Sequence, residues 1–438
     1  VAYKIESFTV RPADTTGGNK SVASDGYSIW ISNAQQGGSP KGYITRLRLS
    51  DGAYLNWYTG AVDTQANATN TSFTGAFPYG TYPGAMVALN GILWVCVQGD
   101  AYDRFVRGYT IATGAMTYNF NVSVISGGAI PGQYAYAGGT QGVVCGGAVY
   151  FPTLGGPWAG NTYSCVLKVT PAGVTLFRFG DAYSGTANWL ATDGVSTLWM
   201  GTSRISGSKA GLLAFNTSGT VLGFADGGTG NNPAGVKYDG AGTIWFGYSS
   251  YLTRIRTSDL YWLQPNGTAQ AVWSSACSYP TPEGAASYTV CVEWDGTHAW
   301  SGGGAPKPWS LLPTSGIWNV IANCGANSPW SYFDGTWVWF GDYSGPLVYR
   351  IHAEVPLITP NLTAVTPSTG PRVSLTFDNP IGVVGPTIGP ASSGLGILGV
   401  NQVDARHLDL LTDYPPIHPL GEADELPGPA PTPPVRTW

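Results

Sequence analysis

A tight polar turn followed by a strand with an aromatic near its middle recurs seven times in the first 354 residues, and this repeat constrains the fold more than anything else in the chain. The copies are Asp25-Gly26…Trp30, Asn90-Gly91…Trp94, Gly146-Gly147…Tyr150, Asp193-Gly194…Trp199, Asp239-Gly240…Trp245, Asp295-Gly296…Trp300 and Asp334-Gly335…Trp339. Asp-Gly and Asn-Gly steps supply the positive φ of a tight hairpin turn, so each copy reads as two antiparallel strands. The strand after the turn is a short apolar run, such as Leu93-Trp94-Val95 or Ile244-Trp245-Phe246. It is apolar on both faces, as a strand packed between two neighbouring sheets must be.

A third and a fourth strand complete the unit. Ile44-Thr45-Arg46-Leu47-Arg48-Leu49 leads through Ser50-Asp51-Gly52 into Ala53-Tyr54-Leu55-Asn56-Trp57-Tyr58, and Ser164–Val169 leads through Pro171-Ala172-Gly173 into Val174–Phe179. Successive turns lie 39 to 65 residues apart, which accommodates four strands and loops of variable length. The fold class is therefore all-β, a seven-bladed β-propeller with four-stranded blades over residues 1–354. The last copy ends at Leu347–His352 without a fourth strand of its own. The orphan stretch Ala2–Val10 is predicted to supply it and so close the ring without a covalent bond.

Beyond Glu354 the composition shifts: residues 355–438 hold 15 of the 32 prolines. They read as an extended Pro- and Gly-rich C-terminal arm, with room for a short strand pair in Ala364–Phe377 and a polyproline-like stretch over 412–438.

Composition narrows the function classes. Charged residues make up 10% of the chain, against roughly 25% in an average soluble protein. The net charge is −5 and no basic run occurs, so a nucleic-acid partner is not expected. No apolar run reaches the length of about 18 residues that a membrane span needs. Val1 leads straight into strand-like residues, which leaves open whether a leader was removed or never existed.

The six cysteines show no Cys-x-x-Cys spacing, so zinc is not expected. They read as buried free thiols, or as one disulfide joining Cys277 to Cys291 or Cys324. Asn-x-Ser/Thr sequons at Asn19, Asn67, Asn70, Asn121, Asn216, Asn266 and Asn361 hint at an exterior life.

The blade wording Asp-Gly-x-x-x-Trp-x-Gly, followed by a strand such as Leu252-Thr253-Arg254-Ile255-Arg256, resembles the propeller group of NHL, SMP-30 and streptogramin-lyase-like proteins. It also resembles the propeller repeats of two-component sensor proteins. The resemblance covers the ring and not the C-terminal part. It implies architecture and leaves activity open, because the group includes lyases, lactonases, sensors and scaffolds. Streptogramin-lyase-like enzymes would place a catalytic His and metal-holding carboxylates at the mouth of the ring. Nothing here matches that site residue by residue: His407 and His418 lie in the arm, His352 in a third strand, and His298 alone near a blade turn. The Ser-x-Asp-x-Gly-x-x-Trp box of sialidases is absent.

The recurring Asp residues are assigned to turns and the recurring Trp residues to packing between blades. Features that break the repeat are more informative about function. Insertions at 61–83, 152–162 (with Trp158), 266–283 and 302–309 (with Lys307 and Trp309) are rich in Tyr, Trp, Gly, Ser and Asn, as adaptable recognition surfaces are. Glu293, Asp295 and His298 form the one His–carboxylate group beside a blade turn, the minimum for acid–base chemistry. Asp100, Asp103, Arg104 and Arg107 read as a solvated ion-pair cluster. Asp226–Asn232 resembles a calcium loop that lacks its closing Glu. The candidate contact residues are thus Trp158, Lys307, Trp309, Glu293 and His298, with no catalytic, cofactor or metal residue expected.

The functional expectation is a non-enzymatic structural or adhesion protein, a virion component such as a phage tail or surface protein. The propeller would be its rigid platform, and residues 355–438 would contact further copies or other assembly proteins. Its setting would be the virion or the extracellular space, with a surface glycan as a second partner class. A secreted glycan-binding or glycan-cleaving propeller and an extracellular filament or surface-layer subunit are the alternatives.

Overall fold

A computed structural model describes residues 2–10, 17–35, 42–70, 82–98, 104–122, 141–154, 164–179, 185–204, 211–226, 233–248, 251–258, 278–282, 289–303, 308–314, 316–321, 328–342, 345–354, 362–367, 372–377, 397–404 and 407–412. The chain divides into two compact units, Val1–Glu354 and Val355–Trp438.

The first unit consists of seven four-stranded antiparallel sheets, each a blade of a propeller. Blade 1 pairs Gly17–Ser24, Ser28–Gln35, Tyr43–Arg48 and Thr69–Asn70, and blade 2 pairs Tyr82–Leu89, Ile92–Gln98, Arg104–Thr110 and Met116–Asn121. Blade 3 comprises Val143–Cys145, Ala148–Leu154, Ser164–Thr170 and Gly173–Phe179, and blade 4 Gly185–Thr192, Thr197–Arg204, Gly211–Asn216 and Val221–Asp226. Blade 5 comprises Pro233–Tyr238, Thr243–Tyr248, Tyr251–Arg256 and Ser278–Pro280, and blade 6 Thr289–Trp294, Ala299–Gly303, Trp309–Leu312 and Ile317–Val320. Blade 7 takes Ser331–Phe333, Val338–Gly341 and Leu347–Glu354 from the end of the segment and Ala2–Thr9 from its start. This is the seven-bladed, four-stranded architecture read from the repeat.

The core lies between blades. Tyr150 and Val166 of blade 3 pack with Leu198 and Phe215 of blade 4, and Trp245 of blade 5 with Val292 and Ala299 of blade 6. The seven recurrent aromatics, Trp30, Trp94, Tyr150, Trp199, Trp245, Trp300 and Trp339, are all buried. Burying so much ring surface from both sides is what holds separate sheets together.

The turns differ from the sequence expectation in an instructive way. Asn90-Gly91 and Gly146-Gly147 carry positive φ at both residues (51° and 74°, 53° and 74°), as a two-residue hairpin turn requires. In the five Asp-Gly turns only the Gly does so. There the Asp carboxylate acts as a backbone acceptor: Asp25 Oδ1 takes the N–H groups of Tyr27 and Ser28, and Asp193 Oδ1 those of Val195, Ser196 and Thr197. The side chain thus satisfies donors that the turn exposes, which a Gly at that position could not do.

The fourth strand of blade 1 also departs from expectation. It pairs with the third strand only to Leu55, whose N–H donates to Arg46 O at 3.0 Å. Asn56 Oδ1 then accepts the N–H groups of Tyr58 and Thr59, an Asx turn that ends the strand. The chain makes one helical turn, Gln65–Ala68, and resumes the strand at Thr69. That is the one α-helix among the described residues, and none there is long and apolar enough to cross a membrane.

Ala2–Thr9 pairs along its whole length with Leu347–Glu354. Side chains fix it further. Arg350 Nε donates to Glu6 Oε2 at 2.7 Å and Nη1 to Leu49 O of blade 1 at 2.7 Å. The same guanidinium lies over the rings of Phe8, Trp337 and Trp339. Tyr3 Oη is 2.6 Å from Ser310 Oγ of blade 6. Beyond the strand, Thr9 O accepts from Tyr54 Oη and Gln65 Nε2, and Val10 O from Thr45 Oγ1. The N-terminal strand is therefore tied to blades 1, 6 and 7 at once.

In the second unit, Leu362–Pro367, Arg372–Phe377, His407–Thr412 and Ile397–Asp404 form, in that order, a four-stranded antiparallel sheet. Part of the stretch read as an extended arm is thus sheet, and the expected polyproline-like stretch over 412–438 lies, after Thr412, outside the described residues. Cys96, Cys145, Cys165 and Cys291 are free thiols. Burial pushes Cys165 up to about 11 and Cys291 up to about 12, which makes them inert. The expected disulfide through Cys291 does not form: its Sγ faces Gly302 O at 3.7 Å inside blade 6. Cys277 and Cys324 lie outside the described residues.

Candidate functional site

The register of the blades places each recurrent aromatic between one residue of the first strand and one of the third, all on one face. In blades 2, 3 and 4 these threesomes are Val87–Trp94–Gly108, Val143–Tyr150–Lys168 and Ala191–Trp199–Ala214. In blades 5, 6, 7 and 1 they are Lys237–Trp245–Arg254, Glu293–Trp300–Ser310, Tyr332–Trp339–Arg350 and Ala23–Trp30–Arg46. Four blades set a cation over the aromatic: Arg46 over Trp30 at 5.2 Å, Lys168 over Tyr150 at 5.9 Å, Arg254 over Trp245 at 5.7 Å and Arg350 over Trp339 at 5.4 Å. A ring quadrupole attracts a cation at such distances, and the long side chain covers apolar surface as well.

Within this layer the first strands of blades 5, 6 and 7 carry an arc of polar groups. Lys237 Nζ lies 2.5 Å from Glu293 Oε1, which also accepts from Trp294 N at 3.0 Å. Glu293 is 1% exposed, whereas the lysine head reaches solvent. Tyr332 follows on blade 7. Burial pushes its phenol up against a hydrogen bond with Ser24 of blade 1, and the charges of Glu293, Asp334 and Asp25 push the same way. Blades 5 and 6 approach closely here. A Cβ on Gly235, whose φ is +62°, would meet the backbone of Cys291 and Val292 at 2.6 to 2.8 Å.

His298 and Glu293 have separate partners. His298 Nδ1 is 3.5 Å from Asp295 Oδ2, and the same oxygen accepts Trp300 Nε1 at 2.7 Å. Burial raises the Asp295 carboxyl, but His298, Trp300 and the turn N–H groups outweigh it and hold the group below the usual carboxylate range. Asp334 likewise takes Trp339 Nε1 at 2.7 Å. In blades 4 and 5 the turn is one residue longer, and the indole N–H groups of Trp199 and Trp245 find no acceptor. In blades 6 and 7 the turn Asp therefore anchors the aromatic as well as the backbone.

The remaining candidates are distributed. Trp158 and Lys307 lie outside the described residues, as do 71–81, 155–163, 259–277, 304–307, and Asp100 and Asp103. Trp309 is not on a loop: it is fully buried in the third strand of blade 6, edge-on to Trp318. Arg107 is buried against Phe105 and bonded to Asn119 rather than solvated. Of the sequons, Asn70 is buried, while Asn67 and Asn216 engage Asp63 and the Ser218–Thr220 turn. Among the described residues no three His, Cys, Asp or Glu side chains converge as a metal set.

Sequence reading missed the cross-strand cations. The available signal was a basic residue followed by an apolar one and preceded by an apolar residue or Thr in third strands, as in Thr45-Arg46-Leu47, Leu167-Lys168-Val169, Thr253-Arg254-Ile255 and Tyr349-Arg350-Ile351.

No protein-family model matches this chain, and no curated protein does. Among solved structures, one described as YCF48 bound to D1 peptide aligns over 80% of this chain and 97% of that one, at 10% identity and a TM-score of 0.49. The WD40 β-propeller domain of Doa1 aligns over 81% and 98%, also at 10% identity and 0.49.

Proposed function

We propose that this protein is a non-enzymatic structural and interaction platform: a sealed ring that holds its binding elements in fixed positions, with the second unit making contacts in an assembly. The observation that carries this reading is the engagement of Glu293. The one acid placed for acid–base work is buried in an ion pair between two blades, and its neighbours Asp295 and His298 secure a turn and an indole. A general acid or base must be reachable by the proton it transfers, whereas Glu293 faces Lys237 and His298 faces Asp295.

The setting we favour is a virion component, such as a phage tail or surface protein. Its support lies in the sequence: low charge, abundant Gly and aromatic residues, and the Pro-rich stretch after the ring. The kinship we favour for the ring itself is the NHL and SMP-30 group, on the Asp-Gly-x-x-x-Trp-x-Gly wording.

Light scattering on the full chain and on residues 1–354 tests the proposal. The full chain should form a defined assembly, and the shortened chain should stay folded with the mass of a single copy. A full chain that remains a single copy alone and with its neighbouring gene products would overturn it.

A further inference from the structure

The blade turns differ in how they treat a reactive step. An Asp or Asn side-chain carbonyl followed by Gly is open to attack by the glycine's backbone nitrogen, because no Cβ shields that nitrogen. What decides the outcome is whether the two groups are held.

In two of the Asp-Gly turns both are held. Asp25 Oδ1 accepts Tyr27 N and Ser28 N, and Gly26 N donates to Ser24 Oγ at 3.0 Å. Asp193 Oδ1 accepts Val195 N, Ser196 N and Thr197 N, and Gly194 N donates to Thr192 Oγ1 at 2.9 Å. Burial raises the Asp193 carboxyl, but those N–H groups outweigh it and leave it below the usual carboxylate range. A carboxyl that stays ionised is a poor electrophile. Several asparagines are tethered too. Asn56 Oδ1 and Asn216 Oδ1 accept N–H groups of their own turns, Asn67 Nδ2 donates to Asp63, and Asn119 Oδ1 accepts from Arg107.

Asn90-Gly91 of blade 2 has neither restraint. Both residues are exposed, and among the described residues nothing bonds the Asn90 side chain or accepts Gly91 N. Asn90 is also the one non-glycine residue described with a positive φ, 51°. The space around Gly91 is open, since a Cβ there would meet nothing within 4 Å. The peptide therefore has room to turn as a ring closes.

We propose that Asn90-Gly91 is a site of spontaneous deamidation in the folded chain, with water as the co-reactant. Gly91 N bonds to Asn90 Cγ, the Cγ–Nδ2 bond breaks, and ammonia leaves with the proton from Gly91 N. Water then opens the resulting succinimide. Addition at the Asn90 main-chain carbonyl gives iso-aspartate, and addition at Cγ gives aspartate. Either product adds a negative charge to the turn, and iso-aspartate also lengthens the main chain by one carbon.

Ageing the full chain near neutral pH in heavy-oxygen water, with peptide mass spectrometry at intervals, tests this. The peptide containing Asn90 should exchange its amide nitrogen for one heavy oxygen, with iso-aspartate as the main product by electron-transfer fragmentation. The same chain in urea gives the unrestrained rates. Folding should slow isomerisation at Asp193-Gly194 far more than deamidation at Asn90-Gly91. An Asn90 amide that persists when folded but is lost in urea, equal slowing at the two sites, or conversion without heavy oxygen would overturn the proposal.

Discussion

Blades 2, 3 and 4 flank their buried aromatic with Val87 and Gly108, Val143 and Lys168, and Ala191 and Ala214. Blades 5, 6, 7 and 1 use Lys237 and Arg254, Glu293 and Ser310, Tyr332 and Arg350, and Ala23 and Arg46. One cation, Lys168, serves the first group, and it donates to Thr217 O in the next blade. The second group surrounds the place where the two ends of the ring segment meet. We attribute the difference to register. Apolar contact is non-directional, whereas an ion pair or a guanidinium–carbonyl bond adds a directional constraint between neighbouring sheets. Arg350 stands at the seam itself, inside blade 7 where the two ends of the ring segment pair, and the Lys237–Glu293 pair joins two blades that the chain already connects.

The seam's most connected residue should be its most sensitive. Arg350→Met removes the bonds to Glu6 and Leu49 O and three ring contacts, and should lower stability by about 3–5 kcal/mol in a urea melt. Lys168→Met, the nearest counterpart in the continuous half, should cost about 1 kcal/mol. Equal losses would erase the distinction between the halves.

Next in size is Lys237→Met, which leaves the Glu293 carboxylate buried without a counter-charge. About 3 kcal/mol is expected from the same melt. A smaller contrast separates two tryptophans. Trp339→Phe loses the indole bond to Asp334, whereas Trp199→Phe loses an N–H that has no acceptor. Trp339→Phe should therefore be the costlier by about 1–2 kcal/mol.

The smallest effect is acid sensitivity. Burial raises the Glu6 carboxyl, but Lys4 and Arg350 outweigh it and leave it below its ordinary value. A depressed folded-state value means that the contribution is complete above the unfolded value of about 4.3 and is lost as pH falls through the folded one. Tm should thus drop on acidification below about pH 4, and less so in Arg350→Met.

Much of the architecture was legible because the repeat is local. Asp-Gly or Asn-Gly, an aromatic four to six residues later and an apolar strand on each side announce a blade without reference to anything distant. The threesomes were not legible in the same way. That Arg46 faces Trp30, or Lys237 meets Glu293, depends on register between strands and between blades, and no single stretch of sequence encodes it.

The two kinds of Asp-Gly turn were half legible. The spacing from Asp to Trp is five residues in blades 6 and 7 and six in blades 4 and 5, visible in the sequence, but its consequence for the indole N–H needs coordinates. Glu293 was singled out as the odd acid beside a turn. Lys237, which determines what that acid does, stands 56 residues earlier in the chain and gave no cue.

The Lys237–Glu293 pair ties blade 5 to blade 6. Replacing both members of the pair, Lys237→Met with Glu293→Met, and measuring the mass of the full chain by light scattering tests it most directly. Replacement of a whole buried ion pair by apolar side chains of similar size is expected to be nearly neutral. The doubly substituted chain should fold and keep the parental mass. A variant that folds with parental Tm yet loses its assembly or a glycan-cleaving activity would show that the pair serves function rather than the joining of blades.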